Sequence, residues 1–96
     1  MTTLGALLEQ LDGLNDEDTF FARRPWSAGS QAVVAEEGAE LANQALDTGL
    51  VYLMEVAIAK DVIATWTSWR AGELPTLTQA CDAILHYATH DSYLPL

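Results

Sequence analysis

The chain has 96 residues, with fourteen Asp or Glu against four Lys or Arg, for a formal net charge of −10. That length fits one domain, able to bury roughly 65% of its unfolded surface in an ordinary core without staples. With 50% hydrophobic and 19% charged residues a disordered tail is excluded, and the negative charge argues against direct contact with nucleic-acid phosphates or an anionic membrane, so a charged partner should be basic.

Leu4, Leu7, Leu8, Leu11 and Leu14 recur at the 3.6-residue period, with Thr2 or Thr3 placed to cap and Gly13 near the end, which predicts an N-terminal amphipathic helix. The acidic run Asp16-Glu17-Asp18 ends that pattern. Thr19 to Arg24 then carries β-favouring aromatics until Pro25 removes a ladder donor, and Gln31 to Glu36 reads as a second strand. Turn chemistry from Pro25 to Ser30 makes the two an antiparallel hairpin with a long loop. Leu41, Ala42, Ala45 and Leu46 fit two turns of helix before Gly49. Leu50 to Val56 is apolar on both alternating faces, the pattern of a buried central strand. Ile58, Val62, Trp66 and Trp69 form a helical stripe ending at Gly72. Thr76 with Gln79 is a capping-box pattern opening a last helix, whose apolar face is Leu77, Cys81, Ile84, Leu85 and Ala88. The expected fold is therefore α+β: a small three-stranded sheet, a hairpin plus a central third strand, packed with an N-terminal helix and two C-terminal helices in one domain over residues 1–96.

Cys81 is the only cysteine, which excludes an internal disulfide and a multi-cysteine zinc site and agrees with a reducing, cytoplasmic setting. Glu9 and Asp12 interrupt the first apolar stretch and no basic region precedes it, so no signal peptide is expected. The stretch from Leu50 to Ala59 holds Glu55 and is half the length of a membrane span.

His86 and His90 lie four apart with Asp82 one turn earlier, a row that could approach one metal ion. That row points away from the apolar stripe of the same helix, so solvated histidines are the simpler reading and no metal is assigned. Cys81 could serve as a nucleophile beside a histidine, but it belongs to the apolar stripe, where a cysteine packs as a small hydrophobe. The six glycines are scattered singly and form no phosphate-cradling loop. Without a nucleotide, metal or nucleophile signature, no cofactor and no catalytic residue is expected. Trp66, Trp69 and Arg70 share a helix surface, as core packing or as a cation–π wall of a ligand pocket. Arg23 and Arg24 must point to opposite faces of their strand, one in an internal ion pair and the other free to contact an anion or a partner. Asp16, Glu17, Asp18, Glu36, Glu37 and Glu40 are the candidate partner-binding residues, as an acidic surface for a basic protein or as a solvated face.

Residues Gly49 to Val56 running into Asp61-Val62-Ile63, together with Ala80 through Tyr87 and the ending His90-Asp91-Ser92-Tyr93, resemble a family of small bacterial proteins catalogued as domain of unknown function 7716. The likeness covers about half of the chain. It departs from the family pattern in His90, where a small polar residue is usual, and in Ser92, where alanine is common. The resemblance implies a small α+β bacterial domain with no assigned activity, of a kind often carried on phages, integron cassettes or secretion-linked immunity loci, and it carries over no catalytic residues. The expected function is a non-enzymatic interaction protein that binds or inhibits a basic partner, as immunity proteins, antitoxins and inhibitors do. The alternatives are a small-molecule binding module with a pocket of Trp26, Trp66, Trp69, Tyr52, Arg23 and Arg24, or a homodimer whose apolar surface is covered by self-association.

Overall fold

The computed structural model describes residues 2–95. A single antiparallel sheet runs through it in the order β1-β3-β2-β4, formed by β1 Thr2–Thr3, β2 Asp18–Ala22, β3 Gln31–Glu36 and β4 Val51–Glu55. Four helices accompany it: α1 Leu4–Leu8, α2 Glu40–Asp47, α3 Val56–Trp69 and α4 Leu77–His90. The α+β class is as expected, but the sheet has four strands rather than three. The additional strand is only two residues long and polar, so no apolar alternation announced it; Thr2 pairs with Ala32 and Thr3 with Gln31.

Strand alternation divides the core in two. Phe20 and Ala22 of β2, with Ala32 of β3, face α1, α3 and α4 and meet Leu4, Val62 and Ile84. Phe21 and Ala35 face the opposite way, onto Ala42, Ala45 and Leu50, so α2 covers that side alone. Phe20 and Phe21 are almost wholly buried on opposite faces, and each burial stabilises the sheet by about 1.5–3 kcal/mol. Within α2 the small Ala42 and Ala45 allow close approach, while Leu41 and Leu46 flank the contact and stay about half exposed.

The expected N-terminal helix is cut short. After α1 the chain turns at Gln10 into a 3-10 turn, Leu11–Gly13, which still delivers Leu11 to the core. Thr3 is the cap, its hydroxyl accepting from the Ala6 N–H at 3.2 Å. The third long strand, expected at the centre, is instead at an edge: β4 pairs with β2 alone. Its pairing runs Phe20 to Met54 and then Phe21 to Tyr52, so Leu53 is skipped in a β-bulge. The bulge turns both Leu53 and Met54 into the interior, which is why an edge strand reads as apolar on both faces.

In α3 the buried row is Val56, Ala59, Val62 and Trp66. Trp69, expected on that row, lies past the core at 47% exposure and meets Tyr93 edge-on with ring centroids 5.8 Å apart. Helix α4 opens with the full capping box, Thr76 Oγ1 accepting from the Gln79 N–H and Gln79 Oε1 from the Thr76 N–H, as its sequence predicts. Among the described residues no helix is long and apolar enough to cross a membrane.

Candidate functional site

Antiparallel pairing sends the two termini of adjacent strands to the same end of a sheet, and here that rule sorts the charges. β2 begins at Asp18, β3 ends at Glu36 directly opposite it, and β4 ends at Glu55 opposite Thr19. The turn that leads into β2 adds Asp16 and Glu17, and the turn after β3 adds Glu37. Asn15 shapes the first of these turns, its side-chain oxygen accepting from the Glu17 N–H at 2.9 Å. Glu40 stands in the first turn of α2, where the helix dipole favours a carboxylate, and accepts from Gln44 Nε2 at 3.3 Å.

Lys60 of α3 bonds to the Leu14 carbonyl and pairs with Asp16, the one salt bridge among the described residues. The remaining carboxylates of this end have no cationic partner in the described chain. Tyr52, about half exposed, is raised above its ordinary pKa by partial burial and then by the Glu55 and Glu37 carboxylates.

The opposite end of the sheet holds Arg23 and Arg24 at the exit of β2. They point to opposite faces as expected, but the expected internal ion pair is absent. Arg23 donates to Gln31 Oε1 from Nε and Nη2 at 3.1 and 3.0 Å, and to the Thr48 carbonyl at 2.8 Å. The physical reason is exposure: both arginines lie at the surface, where no buried charge has to be matched, and uncharged oxygens of Gln31 and Thr48 satisfy the Arg23 guanidinium. Arg24 lies over the Trp26 ring, 4.6 Å from its centroid, and among the described residues pairs with no carboxylate. Trp26 is fixed in turn by its indole N–H, which donates to the Ala22 carbonyl at 3.1 Å.

The aromatic and basic residues expected around one pocket are only partly gathered. Arg24, Trp26 and Tyr52 line a groove of about 450 Å3 between β4 and the C-terminal end of α4, together with Met54, Tyr87 and Asp91. Arg23 faces the α2 side. Trp66 is buried, with the Arg70 guanidinium 4.1 Å from its centroid, and Trp69 packs on Tyr93. Trp66 and Arg70 thus form the stacked pair that their spacing of four allows, away from the groove. Tyr87, Asp91 and Glu55 were not among the sequence-level candidates. Tyr87 and Asp91 are one helical turn apart, and the Asp91 N–H donates to the Tyr87 carbonyl at 2.8 Å, a spacing that would have linked them.

His86 and His90 lie side by side on one face of α4, their rings tilted by 44° with centroids 4.5 Å apart. Asp82 is exposed on the same helix, and among the described residues no group of three or more His, Cys, Asp or Glu is placed to hold a metal ion. Cys81 is buried in the main core, where desolvation, and after it the Asp82 carboxylate, raises its thiol pKa and keeps it protonated. Comparison with protein-family models, with curated proteins and with solved structures gives no match.

Proposed function

We propose that this chain is a non-enzymatic interaction protein that presents the acidic end of its sheet to a basic protein and binds or inhibits it, in the manner of immunity proteins, antitoxins and inhibitors. The supporting observation is the hairpin register. It sets Asp18 directly opposite Glu36, with Glu55 at the same end of the next strand. Like charges placed opposite each other cost roughly 0.2–1 kcal/mol, a penalty that a cationic partner would offset on binding. Asp16, Glu17, Glu37 and Glu40 extend the same surface, and its field would speed encounter with a basic protein. Buried, reduced Cys81 suits a cytoplasmic setting, and the likeness to family 7716 adds a bacterial, mobile-element context.

The test is capture on the immobilised chain through a salt series, run beside a variant carrying Asp18→Asn, Glu36→Gln and Glu37→Gln. A basic protein retained by the natural chain, released by salt and not retained by the variant is the expected result. Equal retention by the variant, or recovery of the chain alone, overturns the reading.

A second reading, a small-molecule binding module, is favoured by one observation: Arg24, Trp26 and Tyr52 share the groove beside α4.

A further inference from the structure

The groove beside α4 holds two opposite charges that do not neutralise each other. Arg24 stands at one wall, its guanidinium held over the indole of Trp26. Asp91 stands at another wall, locked in the left-handed region at φ 54° as the C-terminal cap of α4. Both residues line one space, yet they form no ion pair with each other. Stacking on a hydrogen-bonded tryptophan holds the cation, and the helix cap holds the Asp91 backbone. Between them the lining mixes polar and apolar surface, the apolar part coming from residues such as Leu53, Met54 and Ile58.

Each end selects one charge. The Arg24 guanidinium, which pairs with no carboxylate among the described residues, offers the planar fork that receives one. The Asp91 end attracts a cation twice over, through the carboxylate and through the partial negative charge at the C-terminus of a 14-residue helix. A ligand with only a carboxylate would approach a chain of net charge −10 against its field. One with only an ammonium would leave Arg24 unused. A net-neutral molecule bearing both charges meets neither obstacle.

We propose that this groove binds a small zwitterion with an apolar body, an α-amino acid or a dipeptide carrying a free ammonium and a free carboxylate, with Arg24 receiving the carboxylate and Asp91 the ammonium. The inference rests on the small-molecule reading of the groove and is independent of the acidic sheet end. Trp26 and Tyr87 would enclose the apolar side chain, and a groove of about 450 Å3 lies within the usual range for small-molecule sites, roughly 300–1,000 Å3.

The test is titration of the folded chain with leucine and leucyl-leucine, followed by amide and indole NMR resonances. N-acetyl-leucine and leucinamide serve as probes with one charge blocked. The zwitterions should shift the Trp26 indole N–H and the Asp91 amide in a saturable way. Blocking either charge, or substituting Arg24→Gln or Asp91→Asn, should weaken binding about tenfold or more, the worth of one charge-assisted hydrogen bond. Asparagine tolerates the left-handed region, so the second variant keeps the cap. Binding of N-acetyl-leucine as tight as that of leucine would overturn the zwitterion assignment while leaving a small-molecule groove in place. Absence of any shift at Trp26 and Asp91 with all four probes would overturn both. The ligand arm uses the natural chain, so the result does not depend on how the variants fold.

Discussion

Gly49 follows α2 with a φ of +97°, and a Cβ built on it would come within 2.9 Å of Arg23 Nη1. The guanidinium occupies that space in order to reach both Gln31 and the Thr48 carbonyl, so one arginine joins the end of β2, the start of β3 and the end of α2. Gly49→Ala should therefore destabilise the chain by about 1–2 kcal/mol, read as a lower urea midpoint at unchanged slope. Gly13→Ala is the control, because nothing lies within 4 Å of a Cβ there and its φ is not in the left-handed region. An equal loss in the two variants would remove the special role of Gly49. Sequence patterning conveyed that Arg23 and Arg24 split between two faces, since that follows from the period of a strand. What each arginine touches was hidden, because it depends on which strand ends come together. The assumption that a half-buried arginine finds a carboxylate does not apply here, since both arginines are exposed and need no counter-charge.

At the scale of elements, legibility follows how local the deciding interaction is. β3 spans Gln31–Glu36 as its sequence suggests, bounded by Gly29-Ser30 on one side and by Glu37-Gly38 on the other. The start of α4 is equally legible, because the Thr76 and Gln79 box lies within four residues. Thr76→Ala should lose about 1 kcal/mol of stability, measured by urea unfolding, and Thr76→Ser should retain most of it. If the alanine variant unfolds at the natural midpoint, the box is decorative. The N-terminal leucine stripe was a weaker guide. Leu4, Leu8 and Leu11 all reach the core, but a five-residue helix and a 3-10 turn deliver them as well as one long helix would. The position of β4 was misread for a related reason: consecutive buried residues Leu53 and Met54 look alike whether a strand is covered on both faces or bulged at an edge. Of the proposed interface, the acidic runs could be read directly, while their meeting across Asp18 and Glu36 needed the register, and Glu55 needed the topology.

For the whole molecule the governing quantity is a charge of −10, and the strand ends sort part of it, with Asp18, Glu36 and Glu55 at one end and Arg23 and Arg24 at the other. Such a molecule repels itself, so its melting temperature should rise as sodium chloride is added from low ionic strength toward 0.15 M, where the screening length falls to about 8 Å. The partly exposed Lys60 and Asp16 pair works in the opposite direction but weakly, since such pairs contribute about 0–1 kcal/mol. Glu36→Gln should raise stability at low salt by about 0.2–1 kcal/mol by relieving Asp18, and the gain should shrink as salt is added. A melting temperature that falls with salt, or a less stable Glu36→Gln chain, would show that the carboxylates are held by attractions. Finally, the bulge at Leu53 bears on how copies of this chain behave when crowded. A flat outer strand invites a neighbour to extend the ladder, and each added copy offers the same invitation to the next. In β4 the skipped residue puts the backbone donors and acceptors out of step partway along the strand. That border offers no unbroken template, so fibre growth through β4 should be resisted by backbone geometry, a protection that survives at high salt, where charge repulsion fades.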